Sequence, residues 1–130
     1  MYEYKVKEVV KVVDGDTIDV VIDLGFDLFK KERVRLAGID TPESRTRDLE
    51  EKKLGIEAKK HLEFHLLEAK EIIIATEKDG KYGRMLGWIH DDDRCINNDM
   101  ILLGYAWAYD GGSKQKSLQS LIDIRKSNNG

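Results

Sequence analysis

Acids and bases crowd into one short run, RVRLAGIDTPESRTRD (Arg33–Asp48), which also holds the chain's single proline. Pro42 fixes its own φ and drives Thr41 into an extended conformation, so the backbone is stiff where Asp40 and Glu43 project. Upstream, Asp16 follows the turn-forming pair Asp14–Gly15 and comes close to Asp40 if the two strand ends are neighbours. Two carboxylates and a backbone carbonyl offer oxygen donors only, a set that suits a hard cation, Ca²⁺ or Mg²⁺. Arg35 and, in the later run KYGR, Arg84 add guanidinium groups. A cation and two guanidiniums around one point hold an oxyanion, most simply a phosphate. Glu43 is then left to act as general base toward an attacking water. The chemistry of the whole set is phosphodiester hydrolysis. Each piece also has an ordinary structural reading. DGDT is a hairpin turn, and Arg84 reads as a surface residue of a turn. DTPE reads as the start of a helix, with Thr41 capping, Pro42 first and Glu43 facing the dipole.

The elements that must position these groups follow from periodicity. KVKEVVKVV (Lys5–Val13) is valine-rich and reads as a strand, turned by Asp14–Gly15. DTIDVVID then alternates, with Ile18, Val20 and Ile22 on one face. LGFDLFKKE reads as a loop before a third strand at Arg33–Ala37, where Val34 and Leu36 oppose Arg33 and Arg35. From about Lys52 to Glu68 the period becomes helical through Leu54, Ala58, Leu62, His65 and Leu66. EIIIATE and RMLGWIH are strand candidates flanking KDGKYG. Short helical runs are expected at about Asn97–Leu103, stopped by Gly104, and at Lys116–Lys126. The sum is about five strands and two or three helices, a small closed or half-closed barrel with helices packed on it.

The 130 residues suit one domain spanning 1–130. No stretch approaches the roughly 20 apolar residues of a membrane span, and no secretory signal is visible at the start. A cytoplasmic or phage-encoded protein is therefore expected over a secreted one, with no membrane partner. Cys95 stands alone, which excludes an internal disulfide. Lys and Arg number 22 against 25 Asp and Glu, a net charge of −3, which taken alone argues mildly against a nucleic-acid binder, a class that usually shows a basic excess. A local basic cleft is compatible with that average. His61 and His65 lie one helical turn apart without a third metal ligand, and Asp91–Arg94 reads as a solvated turn.

The ordered set DGDT, RLAGIDTPE, LGIEAKK, KDGKYGRMLGWI and INNDMILLGYAWAY resembles the staphylococcal nuclease (thermonuclease) family, from about Val6 to Tyr109. The resemblance implies an OB-fold, mainly β with α: a five-stranded Greek-key barrel with three helices. It implies a calcium-dependent endonuclease that hydrolyses DNA and RNA with little sequence preference and leaves 3′-phosphate ends. One Ca²⁺ is implied, held by Asp16, Asp40 and the Thr41 carbonyl, with Mg²⁺ the less suited ion. Arg35 and Arg84 match the phosphate-binding arginines and Glu43 the general base. Lys81, Tyr82 and, with a spacing ambiguous by a residue or two, Tyr109 match substrate-binding positions. The expected partner of this presumptive monomer is single-stranded DNA, RNA or frayed duplex, because a pocket on a small barrel admits a flexible strand. The alternative is a non-catalytic OB-fold nucleic-acid-binding module. A glycosidase using Asp40 and Glu43 as its carboxylate pair would explain neither Asp16 nor the arginines.

Overall fold

The computed structural model describes residues 2–76, 85–109 and 117–129. Three antiparallel strands open the chain: β1 (Tyr2–Asp14), β2 (Thr17–Gly25) and β3 (Leu28–Leu36). After the two-residue β4 (Ile39–Asp40) comes the long helix α1 (Leu49–Glu68), then β5 (Ile72–Thr76) and β6 (Met85–Asp91). The remainder is β7 (Arg94–Cys95), α2 (Ile96–Leu102), β8 (Trp107–Ala108) and α3 (Leu118–Asn129). The main sheet runs β3-β2-β1-β5-β6-β7. A parallel pairing of β3 with β6, Val34 to Met85 through Leu36 to Gly87, brings its ends together. The result is a closed five-stranded barrel with three helices, the OB-fold architecture that the sequence resemblance implies.

The alternation expected of β2 is realised: Ile18, Val20 and Ile22 are fully buried, and Val34 and Leu36 of β3 face them. Burying each such side chain contributes roughly 1.5–3 kcal/mol, so this inner face dominates the stability of the barrel. On α1, Leu54, Ala58, Leu62 and Leu66 form one buried stripe at spacings of four. Asn97, at the start of α2, is almost completely buried and ties three segments together. Its Nδ2 donates to the Ala37 and Gly87 carbonyls at 2.8 and 3.0 Å, and its Oδ1 accepts from the Ile89 N–H at 2.9 Å.

Two expectations are corrected. LGFDLFKKE is a hairpin, not a loop. Gly25 pairs with Leu28 across a turn in which Phe26 and Asp27 both adopt positive φ, 57° and 60°, and strand pairing resumes immediately. Nor does DTPE start a helix. The helix begins at Leu49, and its cap is Asp48, whose carboxylate accepts from the Glu50 and Glu51 N–H groups at 3.1 Å. The Asp91–Arg94 turn is as expected, with Asp92 at φ 53° between β6 and β7.

Candidate active site

Strand register decides which acids meet. Thr17 pairs with Arg35, and the Leu36 N–H donates to the Asp16 carbonyl at 2.8 Å, so Asp16 and Arg35 are neighbours on adjacent strands. β4 follows directly and carries Asp40 back toward the same point. There Arg35 Nη1 lies 3.4 Å from Asp16 Oδ2, while its Nη2 lies 3.5 Å from Asp40 Oδ1. The Thr41 N–H points between the two acids, 3.0 Å from Asp40 Oδ1 and 3.3 Å from Asp16 Oδ2. Asp16 is further held by the Thr17 hydroxyl, which donates to its Oδ1 at 3.0 Å. Two carboxylates thus share one guanidinium and one amide, with all three charged side chains less than a fifth exposed. Arg33, two residues earlier on the same face, is committed elsewhere. It makes a paired contact with Asp19 at 2.8 and 3.0 Å, and that hydrogen bond lowers the Asp19 pKa.

The helix α1 presses on this arrangement from one side. A Cβ on Gly15 would lie 2.8 Å from the Ala58 Cβ, and one on Gly55 would lie 2.6 Å from the Glu43 carbonyl carbon and oxygen. Both positions therefore require glycine, one in the DGDT turn and one in the helix. The Glu43 N–H donates to Glu51 Oε2 at 3.0 Å, and the Ser44 hydroxyl is bonded to the Asp14 carboxylate. Glu43 itself is exposed, on a loop braced at its own N–H and at Ser44.

Asp16, Arg35, Asp40 and Thr41, drawn from three separate strand ends, are accordingly brought together, with Glu43 two residues beyond Thr41. Tyr109 enters through its backbone: β8 pairs with β4, and the Tyr109 N–H donates to the Gly38 carbonyl at 2.9 Å. Arg84, Lys81 and Tyr82 lie outside the described residues. Among the described residues, no group of three or more His, Cys, Asp or Glu side chains gathers where it could hold a metal ion. The donor set around Asp16 and Asp40 is oxygen only, so it fits a hard cation whose remaining ligands are water or substrate and not a softer metal. Asn97 and Gly55 were not singled out by the sequence. An asparagine inside an otherwise apolar short helix was the available signal for the first.

The family model described as "Staphylococcal nuclease homologue" matches residues 33–127. Among curated proteins, "Protein ParB" of Escherichia coli is 36% identical over 112 residues, covering 78% of this chain and 56% of that protein. "Micrococcal nuclease" of Shigella flexneri is 34% identical over 111 residues, covering 78% and 57%. An "Uncharacterized endonuclease" of Escherichia coli O157:H7 is 33% identical over 103 residues, covering 78% and 60%. The chain thus spans a little over half the length of these relatives. With the barrel, the three helices and the family match over most of its length in agreement, the chain belongs to the staphylococcal nuclease family.

Proposed function

We propose that the chain is a metal-dependent endonuclease that hydrolyses phosphodiester bonds of DNA and RNA with little sequence preference, leaving 3′-phosphate ends. The observation that carries the reading is the convergence of Asp16 and Asp40 on Arg35, at 3.4 and 3.5 Å, with the Thr41 amide between the two acids. Nuclease names among the relatives support it. Asp16 and Asp40, with the Thr41 carbonyl, would hold a single Ca²⁺. When bound, that ion would supply Lewis-acid stabilisation of a phosphoryl oxygen.

The chain's own groups do the rest. Arg35 stands where its guanidinium can turn from its ion pairs with the carboxylates to a phosphate oxygen. Its worth is greatest in the transition state, when charge builds on the equatorial oxygens. Glu43 takes a proton from the attacking water; its braced, exposed position gives it access to solvent and a defined direction. Arg84, by its place in KYGR, is the second phosphate ligand, while Lys81, Tyr82 and Tyr109 contact the substrate beside the scissile bond. Residues 1–130 act as one domain and as a monomer.

The test incubates single-stranded DNA and RNA with the protein in Ca²⁺, in Mg²⁺ or in chelator, beside Glu43→Gln, Arg35→Ala and Arg84→Ala. Metal-dependent cleavage lost in each variant, with binding retained in Glu43→Gln and weakened less than the rate in the arginine variants, is the expected result. Binding without cleavage under every condition would mean a nucleic-acid-binding module instead.

A further inference from the structure

Beside the candidate site, and not part of it, a cavity of about 280 Å³ opens between α1 and the loop that follows Glu43. We infer that this cavity is a second phosphate subsite, which holds the nucleic-acid strand one or more nucleotides away from the scissile bond. The inference rests on the nuclease reading of the neighbouring site and adds to it residues that reading does not use.

Three cations line the cavity: Arg45 from the loop and Lys59 and Lys60 from α1. Among the described residues none of the three forms an ion pair, although the chain carries more acids than bases. Glu63 is the one acid on the rim, leaving a local excess of positive charge in a protein of net charge −3. Unneutralised cations around a concave surface attract an anion of matching charge. The lining also includes two apolar side chains, Val13 at the end of β1 and Ile56 on α1. A nucleotide unit has this same division, a phosphate for the guanidinium and ammonium groups and a sugar or base face for the aliphatic surface.

Position makes the strand the fitting occupant. Ser44 and Arg45 directly follow Glu43, and Ser44 is anchored to Asp14 just ahead of Asp16. Gly55 holds α1 against the Glu43 backbone, and Lys59 comes one helical turn later, about 6 Å along the axis. The cavity therefore lies one helical turn from the loop carrying Asp40, Thr41 and Glu43. A flexible strand seated there passes over Arg45, Lys59 and Lys60 next.

The test measures binding of fluorescein-labelled single-stranded DNA of 12 and of 3 nucleotides, in chelator, by anisotropy across a salt series. Cleavage of the same oligonucleotides in Ca²⁺ is followed alongside. The variant Arg45→Gln/Lys59→Gln/Lys60→Gln is compared with wild type and with Lys31→Gln/Lys70→Gln/Lys126→Gln, which removes equal charge elsewhere. The expected result is that the 12-mer's affinity advantage over the 3-mer shrinks about ten-fold in the first variant alone. Its salt slope should fall by about 0.7, the contribution of one single-strand phosphate contact. An unchanged advantage, or an equal loss in both charge variants, overturns the subsite. If wild type neither binds nor cleaves either oligonucleotide, the nuclease reading fails first and the subsite with it. If wild type binds and cleaves but the advantage stays, the subsite alone fails.

Discussion

Gly55→Ala isolates the contact on which the candidate general base depends. In a helix interior this change ordinarily stabilises by about 1 kcal/mol, because alanine is the better helix former. Here the added Cβ would meet the Glu43 carbonyl carbon and oxygen at 2.6 Å and the Pro42 oxygen at 2.7 Å. Ordinary contact begins near 3.4 Å, so helix and loop must separate by about 0.8 Å. All three atoms are backbone, and Pro42 together with the Glu43–Glu51 and Ser44–Asp14 bonds leaves the loop little freedom to yield. Overpacking of this kind costs about 1–3 kcal/mol, so after the propensity gain the net effect is a loss of up to about 2 kcal/mol. A displacement near 1 Å at a catalytic group costs up to about 10²-fold in rate. Urea denaturation and kcat on single-stranded DNA in Ca²⁺ measure the two effects separately. Gly55→Ala at or above wild-type stability, with kcat unchanged, would refute the argument that glycine is there for close approach.

Acid stability should report His61. It is stacked on Tyr105 at 4.0 Å, beside the edge of His65, with Arg125 over the same tyrosine ring at 4.2 Å, and burial with these like charges lowers its pKa to about 4. The folded protein therefore resists protonation that the unfolded chain accepts near 6.5. Stability is full above about pH 6.5 and falls as pH drops toward 4, by about 2 kcal/mol once screening at the partly exposed ring is allowed for. His61→Phe, which keeps a ring on Tyr105, should flatten that part of the pH profile in denaturant titrations; an unchanged profile would place the acid sensitivity elsewhere. Asn97→Ala strands the Ala37 carbonyl and the Ile89 N–H, while the Gly87 carbonyl keeps the Ala37 N–H, and should cost about 2–4 kcal/mol, read as a fall in denaturation midpoint at constant m-value. Asp40→Asn should abolish Ca²⁺-dependent cleavage yet strengthen phosphate binding in chelator, because one negative charge leaves the site; weaker phosphate binding in a folded variant would contradict the charge assignment.

How far the site could be read from the chain depended on what kind of contact made it. The alternation in β2 and the stripe on α1 were legible because each depends on one repeating period. The β2–β3 hairpin was not, since Phe26 and Asp27 take positive φ without the Asn-Gly signature, and exposed Phe26, Leu28 and Phe29 obscure the alternation. Pro42 suggested a helix start while the real cap, Asp48, stood six residues on in a run of charges. Asp16 and Thr41 meet across 25 residues of sequence, a proximity that only strand register supplies. The preference for Arg35 over Arg33 became decidable in the same way: both share a face, and only one has Asp16 and Asp40 within reach, while the other is held by Asp19.

The pairing of Arg35 with both carboxylates explains why this arrangement is suited to a divalent ion acting with a phosphate. Two carboxylates and one guanidinium leave one net negative charge, shielded from water by burial below one-fifth exposure. A phosphodiester approaching alone would raise that to two, and the low local dielectric would magnify the repulsion. With a divalent cation the sum returns to zero once the phosphate is in place, and Arg35 is released from the acids it otherwise neutralises. Arg35 therefore has two uses for one position: it keeps two close carboxylates together in the folded protein, and it stands within reach of the anion. An arginine fixed away from the acids would have left Asp16 and Asp40 repelling each other across the Thr41 amide. That is why substituting Arg35 should disturb the geometry of Asp16 and Asp40 as well as the binding of phosphate.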